Sequence, residues 1–542
     1  MEMPNLLLAT IFLPLAGALW VWLTAGGGQA AARQSALVTT LMTFGLACVL
    51  LSKYTPGDDP YAAFSVPWLQ AGSTFDIRLN LGLDGLSLWL FGLSALLMVT
   101  SVLVSWEAIS ERPALFYGLL LLLETGVLGV FAARDIILFY VFFEFTLLPL
   151  FFLIGVWGSE ERRYAATKFF LYTFAGSMLT FLGLLAIVLW NYSGSGVMQF
   201  GIAELTRSLN ARPLPELYQV WIFLALFAGF AIKVPLFPLH TWLPLAHVQA
   251  PTAGSVVLAG ILLKIGTYGF ARFNLPMLPY ASALLLPWIL WLSATGIIYG
   301  ALVALAQDDM KRLIAYSSVS HLGFCMLGLF ALNSVAFQGS VLQMVNHGLS
   351  TGGLFAVVGM LYERYHTREI SQLGGLARRM PWLATFMLLF TFSSIGLPGL
   401  NGFAGEFPIL MGMFERAWTG APEGFVTQFK VIAVLALFGV VLGAWYMLWL
   451  VQRVFFGPLR EPHHAPGEPP VRDMSLREIL ALAPLAVFIF WIGLKPAFFM
   501  KPMEPTLERI AAAATRSLEM ENQPPSQLSQ APQSAAEPIR VE

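Results

Sequence analysis

AIKVPLFPLHTWLPLAHVQAPTAGSVVLAGILLKIG, residues 231–266, carries two lysines, Lys233 and Lys264, in strongly apolar surroundings. Pro235, Pro238, Pro244 and Pro251 lie between them, with His240 and His247. In a water-soluble protein such a run is a loop. Its flanks are apolar enough to cross a membrane, and that reverses the reading. A charge at the centre of a bilayer costs about 2.5–3.5 kcal/mol on insertion scales, so it faces a protein interior or a water-filled cavity. Prolines that break a spanning helix free backbone groups, which protein or water must satisfy. A broken helix with one lysine, followed by a helix with another, points to a path for ions or protons. The plainer alternative is a kinked structural helix whose lysines snorkel to the interface. It fits Lys264 poorly, because SVVLAGILL precedes that lysine and IGTYGF follows it.

Composition supports the membrane reading. Of 542 residues, 57% are hydrophobic and 11% charged, against roughly 25% charged in soluble domains. Mean hydropathy is +0.72. The net charge of −1 gives no reason to expect nucleic acid. Cys48 and Cys325 lie in separate apolar segments, with neither metal-ligand spacing nor a disulfide framework. No glycine-rich dinucleotide fingerprint or phosphate loop occurs, so no cofactor and no metal are expected in this chain. The N-terminus lacks a basic region and a small-residue cleavage site, and reads as the first spanning helix.

A spanning helix needs about 20 mostly apolar residues. That rule predicts an all-α polytopic membrane protein of about fourteen transmembrane helices, near 4–24, 34–52, 82–106, 113–132, 134–157, 164–191, 217–249, 251–273, 280–306, 312–331, 335–363, 381–417, 428–455 and 475–498. Residues 53–80 and 192–216 read as polar loops, 456–474 as a loop with Pro and His, and 501–542 as a mobile or loosely docked polar tail. Two segments are broken alike, AIKVPLFPLHTW and SIGLPGLNGFAGEFPIL. They stand five segments apart, and an odd offset inverts the second copy, which is the pattern of an inverted repeat. The expected division is 1–112 for helices 1–3, 113–273 for a first five-helix repeat, 274–455 for its inverted partner, 456–500 for a loop and helix 14, and 501–542 for the tail. The loops around Arg33, Arg112, Arg162, Lys311, Arg364–Arg379 and Arg453–Arg477 form the more basic set. The positive-inside rule places them in the cytoplasm and both termini on the outer side.

The embedded charges carry the chemistry. Glu144, in LFYVFFEFTLLPLFFL, needs a partner or a proton, and Lys233 is the candidate partner. Lys264 has no carboxylate nearby in sequence, and Glu406 follows the second break among Gly402, Ala404 and Gly405. His321 and His347 sit in neighbouring apolar segments beside Ser317, Ser318, Ser320, Asn346 and Ser350. Imidazole suits proton relay near neutral pH, although a lone buried histidine is more often structural. His240 is a candidate gate at the first break. Glu124 is either a functional acid or a helix-interface hydrogen bond. His463 and His464 read as a solvated loop. Acid, base, base, two imidazoles and acid, with no nucleophile or metal cluster, imply proton movement and not bond making.

At these residues the sequence resembles the antiporter-like membrane subunits of respiratory complex I, and among them the M type. The matching stretches are PLHTWLPLAHVQAPTAGSVVLAGILLKIGTYGFARF, AQDDMKRLIAYSSVSHLGFCMLG, NHGLSTGGLF and GLPGLNGFAGEF. The resemblance implies fourteen helices, two inverted five-helix repeats and discontinuous helices 7 and 12. It implies proton translocation by Glu144 and Lys233 as an interacting pair, Lys264 as the central lysine, His321 and His347 on the axis, and Glu406 as the distal acid. Glutamate at 406 favours the M type over the L and N types, which tend to carry lysine there. The implied function is a proton-translocating subunit of an NADH:quinone oxidoreductase in a bacterial inner membrane, beside L-type and N-type neighbours, with FMN, iron–sulfur clusters and quinone in other subunits. The alternatives are a subunit of a multisubunit Na+/H+ antiporter, of a membrane-bound hydrogenase or of a bicarbonate-uptake complex. One departure stands out: the family usually has an acid where this chain has Leu245.

Overall fold

A computed structural model of the chain describes residues 2–57, 60–71, 75–462 and 471–521. His463 and His464 lie outside them. Helix dominates: α1 Met3–Leu23, α2 Gly28–Ser52, α3 Leu88–Val104, α4 Pro113–Ala132, α5 Ile136–Trp157, α6 Arg162–Ser195, α7 Ile202–Ala211, α8 Glu216–Lys233, α9 Trp242–Gln249 and α10 Thr252–Met277. There follow α11 Pro279–Leu305, α12 Met310–Phe330, α13 Ser334–Tyr365, α14 Pro381–Ser394, α15 Asn401–Thr419, α16 Val426–Phe455, α17 Leu476–Leu494, α18 Pro496–Met500 and α19 Glu504–Glu521. Among the described residues twelve helices are long and apolar enough to cross a membrane. With the shorter apolar helices α3 and α14 they make the fourteen spans expected from the apolar runs.

The bundle sorts its helices by polarity. Helices α10 and α13, which carry Lys264 and His347, are buried over their 18-residue apolar stretches, and α12 is nearly so. Helices α2, α16 and α17 expose large apolar side chains such as Leu41, Phe438 and Val487. Polar side chains in a spanning helix are tolerated where other helices, not lipid, surround them.

Both breaks fall where Pro and Gly interrupt the apolar pattern. Helix α8 stops at Lys233 and α9 begins at Trp242. Proline donates no backbone hydrogen bond, and the stranded carbonyl of Ile232 is taken up by Trp242 Nε1 at 2.9 Å. The second break, between α14 and α15, turns on Gly396 and Gly399, both at positive φ (71° and 91°). Its loop is tied down by Ser393 Oγ donating to Asn401 Oδ1 at 2.5 Å, and by Asn346 Nδ2 donating to the Asn401 carbonyl at 2.6 Å.

Three stretches differ from expectation. Residues 53–80 are not simply a loop: Tyr61–Ala71 (β1) and Phe75–Leu83 (β2) pair antiparallel, with Ser65 opposite Asn80. Ile77 and Leu81 are buried while Arg78 between them is half-exposed, the alternation of a half-buried strand. The polar stretch 192–216 contains α7, which buries Ile202, Leu205 and Leu209 at helical spacing. Of the tail, Glu504–Glu521 forms α19, docked on α11 and α13 through Leu507, Ile510 and Ala514, and residues 522–542 lie outside the described ones. Its alternating alanines and charges hide that narrow apolar stripe from a hydropathy reading.

The hairpin ends in a buried charge cluster. Asp84 accepts a bidentate pair from Arg272 at 2.6 and 2.8 Å and a further bond from Arg134 at 2.7 Å. Arg272 also lies over the ring of Tyr268. Burial alone would raise the Asp84 carboxyl, but the two guanidiniums outweigh it and hold the group well below the usual carboxylate range. The cluster ties the hairpin to the α4–α5 link and to the far end of α10.

Candidate functional site

Helix α10 changes pitch on either side of Lys264, with π-helical turns over Leu258–Leu262 and Phe270–Asn274. Such turns are rare and frequent at functional sites. Lys264 is fully buried, and its ammonium donates to the Ala259 carbonyl within its own helix. Its Nζ also lies 2.6 Å from Nδ1 of His347 on α13. A lysine ammonium has only donors. In that state Nδ1 of His347 accepts and the hydrogen of the neutral ring sits on Nε2, which has no protein partner among the described residues.

The line continues into α12. The His347 and His321 rings have centroids 5.6 Å apart. His321 Nδ1 is 3.0 Å from Glu406 Oε1 on α15, and its Nε2 is 3.1 Å from Ser394 Oγ at the end of α14. Gln343 Nε2 donates to the same Glu406 oxygen at 2.9 Å. The small residues after the second break permit this packing: a Cβ on Gly405 would stand 2.3 Å from Gln343 Oε1. Lys264, His347, His321 and Glu406, from four helices, thus form one buried sequence of ionisable side chains. Only the step between the imidazoles lacks a direct hydrogen bond.

Glu144 and Lys233 stand apart from this line and interact across space without an ion-pair contact. Lys233 is buried, and its Nζ sits 4.4 Å from the centre of the Phe143 ring, so an aromatic face holds the ammonium. Glu144 is half-buried, turned toward Ser177 on α6, and feels Lys233 electrostatically without touching it. Between Lys233 and α10 lies a cavity of about 10 Å³, lined by Thr146, Trp242, Leu258 and Leu262. A water needs about 10–15 Å³, so this gap holds one water at most.

The remaining candidates are off the line. His240 is buried against Phe237, Tyr299 and Tyr316 in the first break. Glu124 is fully buried within α4, and neither carboxyl oxygen has a partner among the described residues. It is therefore not the helix-interface hydrogen bond it could have been. The sequence reading passed over Gln343 and Asn401. Gln343, Asn346, His347 and Ser350 form a polar stripe at helical spacing on an otherwise apolar helix, and that stripe was the available signal. Among the described residues no cluster could hold a metal ion.

A row of buried ionisable side chains, set beside two broken helices, is the arrangement of a proton- or ion-translocating membrane protein. Known proteins narrow the class. The family model described as "NADH:quinone oxidoreductase/Mrp antiporter, TM" matches residues 133–428. The chain is 40% identical over 523 residues to NADH-quinone oxidoreductase subunit M of Rhodobacter capsulatus, covering 94% of this chain and 96% of that one. Subunit M of Escherichia coli K12 is also 40% identical, over 90% and 94% of the two chains. A chain in the structure of respiratory complex I from Thermus thermophilus with bound NADH superposes with a TM-score of 0.81 at 33% identity, covering 94% of this chain and 99% of that one. The chain belongs to the NADH:quinone oxidoreductase/Mrp antiporter family of membrane proteins.

Proposed function

We propose that this chain is the M-type proton-translocating membrane subunit of a bacterial NADH:quinone oxidoreductase. The observation that carries the reading is the buried succession Lys264, His347, His321, Glu406, hydrogen-bonded at both ends with the two imidazole rings 5.6 Å apart between them. The relatives of similar length are named as subunits of that enzyme. FMN, iron–sulfur clusters and quinone belong to other subunits, and L-type and N-type subunits are the expected neighbours. The basic loops face the cytoplasm and both termini face outward.

Glu144 and Lys233 form the switching end, as an electrostatic couple rather than a bonded pair. Drawing Glu144 toward Lys233, or away from it, changes the field at the narrow gap beside α10. Water in that gap would link Lys233 with Lys264, and its exclusion would part them. Lys264 then gives its proton to His347, His321 takes it onward, and Glu406 exchanges it toward the outer face. Moving one charge against 100 mV costs about 2.3 kcal/mol. A change of about two pKa units, near 2.7 kcal/mol, supplies that.

Vesicles carrying the assembled complex with Lys264→Ala test the reading. Fewer protons should move per NADH oxidised than with the parent complex. An unchanged ratio would sink the role of Lys264. The family description also covers Mrp antiporters, so the second reading is an antiporter subunit without redox partners. Flavin and iron–sulfur absorbance co-purifying with the chain separates the two.

A further inference from the structure

The end of α6 opposite the basic loops carries a cavity that the proton line does not use. Its volume is about 130 Å³, and Trp190, Asn191, Gly194, Ser195, Ser208 and Arg212 line it. The guanidinium carbon of Arg212 sits 5.1 Å from the centre of the Trp190 ring, so the cation lies over an aromatic face. A Cβ on Gly194 would overlap that guanidinium, and the bare glycine lets the two approach. Pro213 follows Arg212 and keeps its backbone out of the helical region, which ends α7 there.

The polar groups of the cavity are donors. Among the described residues the Arg212 guanidinium meets no carboxylate, whereas its neighbour Arg207 is paired with Glu204 at 3.2 Å. The Trp190 Nε1 is buried without a partner. An indole N–H can only donate, and one cut off from water with nothing to bond costs free energy. Asn191 Oδ1 accepts from the Ser208 hydroxyl, which leaves its amide nitrogen to donate. No lining residue is acidic. Donors around one unpaired guanidinium fit an oxyanion, and the planar fork of arginine matches phosphate. The surroundings indicate its source. Trp190 stacks on Tyr218, with centroids 6.2 Å apart, and Tyr192 and Trp221 beside them are exposed. Such aromatic belts mark the level at which spanning helices leave the apolar layer. Below the belt α6 and α8 pack side by side and expose Leu182 and Leu189 on one helix, and Trp221 and Leu224 on the other. Each pair lies along one helix face.

We propose that this cavity binds the phosphate of an anionic phospholipid from the leaflet opposite the basic loops. Arg212 and the Trp190 indole hold the phosphate, and the acyl chains lie along the exposed apolar strip of α6 and α8. One unpaired cation and no acid suit a headgroup that is anionic overall. A choline headgroup would bring a second cation against the guanidinium with no carboxylate in the lining to receive it.

The site is independent of the translocation reading, and its test measures lipid rather than protons. The full chain, with the subunits that accompany it, is placed in phosphatidylcholine vesicles containing a trace of phosphatidylglycerol with a photoactivatable diazirine in its acyl chain. Labelling should concentrate on the peptides that carry Leu189 and Trp221. Excess unlabelled phosphatidylglycerol should remove it, and millimolar inorganic phosphate should not. Arg212→Gln should lower it about tenfold, the scale of one hydrogen bond to a charged group, while Arg207→Gln leaves it at the parent level. If Arg212→Gln does not assemble, Gly194→Ala displaces the guanidinium and should give the same loss. Trp190→Phe keeps the ring beneath the guanidinium but removes the N–H, and should also weaken labelling. Equal labelling in the parent, Arg212→Gln and Gly194→Ala would mean ordinary contact with bulk lipid and overturns the site. Loss of labelling to inorganic phosphate would assign the cavity to a free anion and overturns the lipid. A parent unlabelled on both helices would mean that another subunit covers the cavity, which overturns the proposal as well.

Discussion

On the proposed path Glu406 is the distal acid, and its surroundings are not those of a stabilising ion pair. A buried pair made of well-packed charges gains little net stability from its charges. Here the acid meets a histidine and a neutral amide, His321 at 3.0 Å and Gln343 at 2.9 Å, so replacing it strands no permanently charged partner. Glu406→Gln should therefore leave the complex assembled while cutting protons moved per NADH. A variant that assembles and pumps like the parent would remove Glu406 from the path. At this scale the sequence was informative wherever a charged residue interrupts an apolar run, which is how Lys264 and Glu406 stand out. It was uninformative about orientation. Nothing in LFYVFFEFTLLPLFFL reveals that Phe143, not Glu144, meets Lys233.

At the scale of elements, the hairpin, the α4–α5 link and α10 are held together on one face by hydrogen-bonded charge. Asp84→Asn would leave Arg134 and Arg272 buried without their counter-charge, at a cost of about 3–5 kcal/mol. The expected result is a lower melting temperature of the purified complex. Because the folded carboxyl lies well below its ordinary range, its contribution is present above the unfolded pKa and is lost only as pH falls through the folded value. Acidification from pH 7 to pH 4 should therefore leave this cluster intact. Asp135, which caps α5 by accepting from the amides of Ile137 and Leu138 at 2.8 and 3.2 Å, behaves oppositely. Burial raises its carboxyl to about 6, so its contribution is present below the unfolded pKa and is lost as pH rises through about 6. Asp135→Asn keeps the cap. It should flatten the fall in melting temperature between pH 4 and pH 6, worth about 2–3 kcal/mol. The hairpin escaped a hydropathy reading because Arg78 and Asn80 alternate with its apolar residues, halving the mean over any window. The breaks did not escape, since Pro235, Pro238 and Pro398 interrupt runs otherwise long enough to span.

For the whole molecule, fourteen spans place a polar line inside a shell that meets lipid with apolar side chains. The count was legible because twelve of the spans are apolar helices of 18 residues or more. The connectivity of the line was not, since residues separated by 83 and 85 positions meet only through the packing of α10, α12, α13 and α15. Glu124 provides the contrast to the proposed line, being a buried acid apart from it. The direct measurement is protons translocated per NADH in oriented vesicles for the complex with His347→Leu, beside the complex with Glu124→Gln. Removing the middle link should lower the ratio while Glu124→Gln leaves it at the parent value. A parent ratio in His347→Leu, with a loss in Glu124→Gln, would contradict the account.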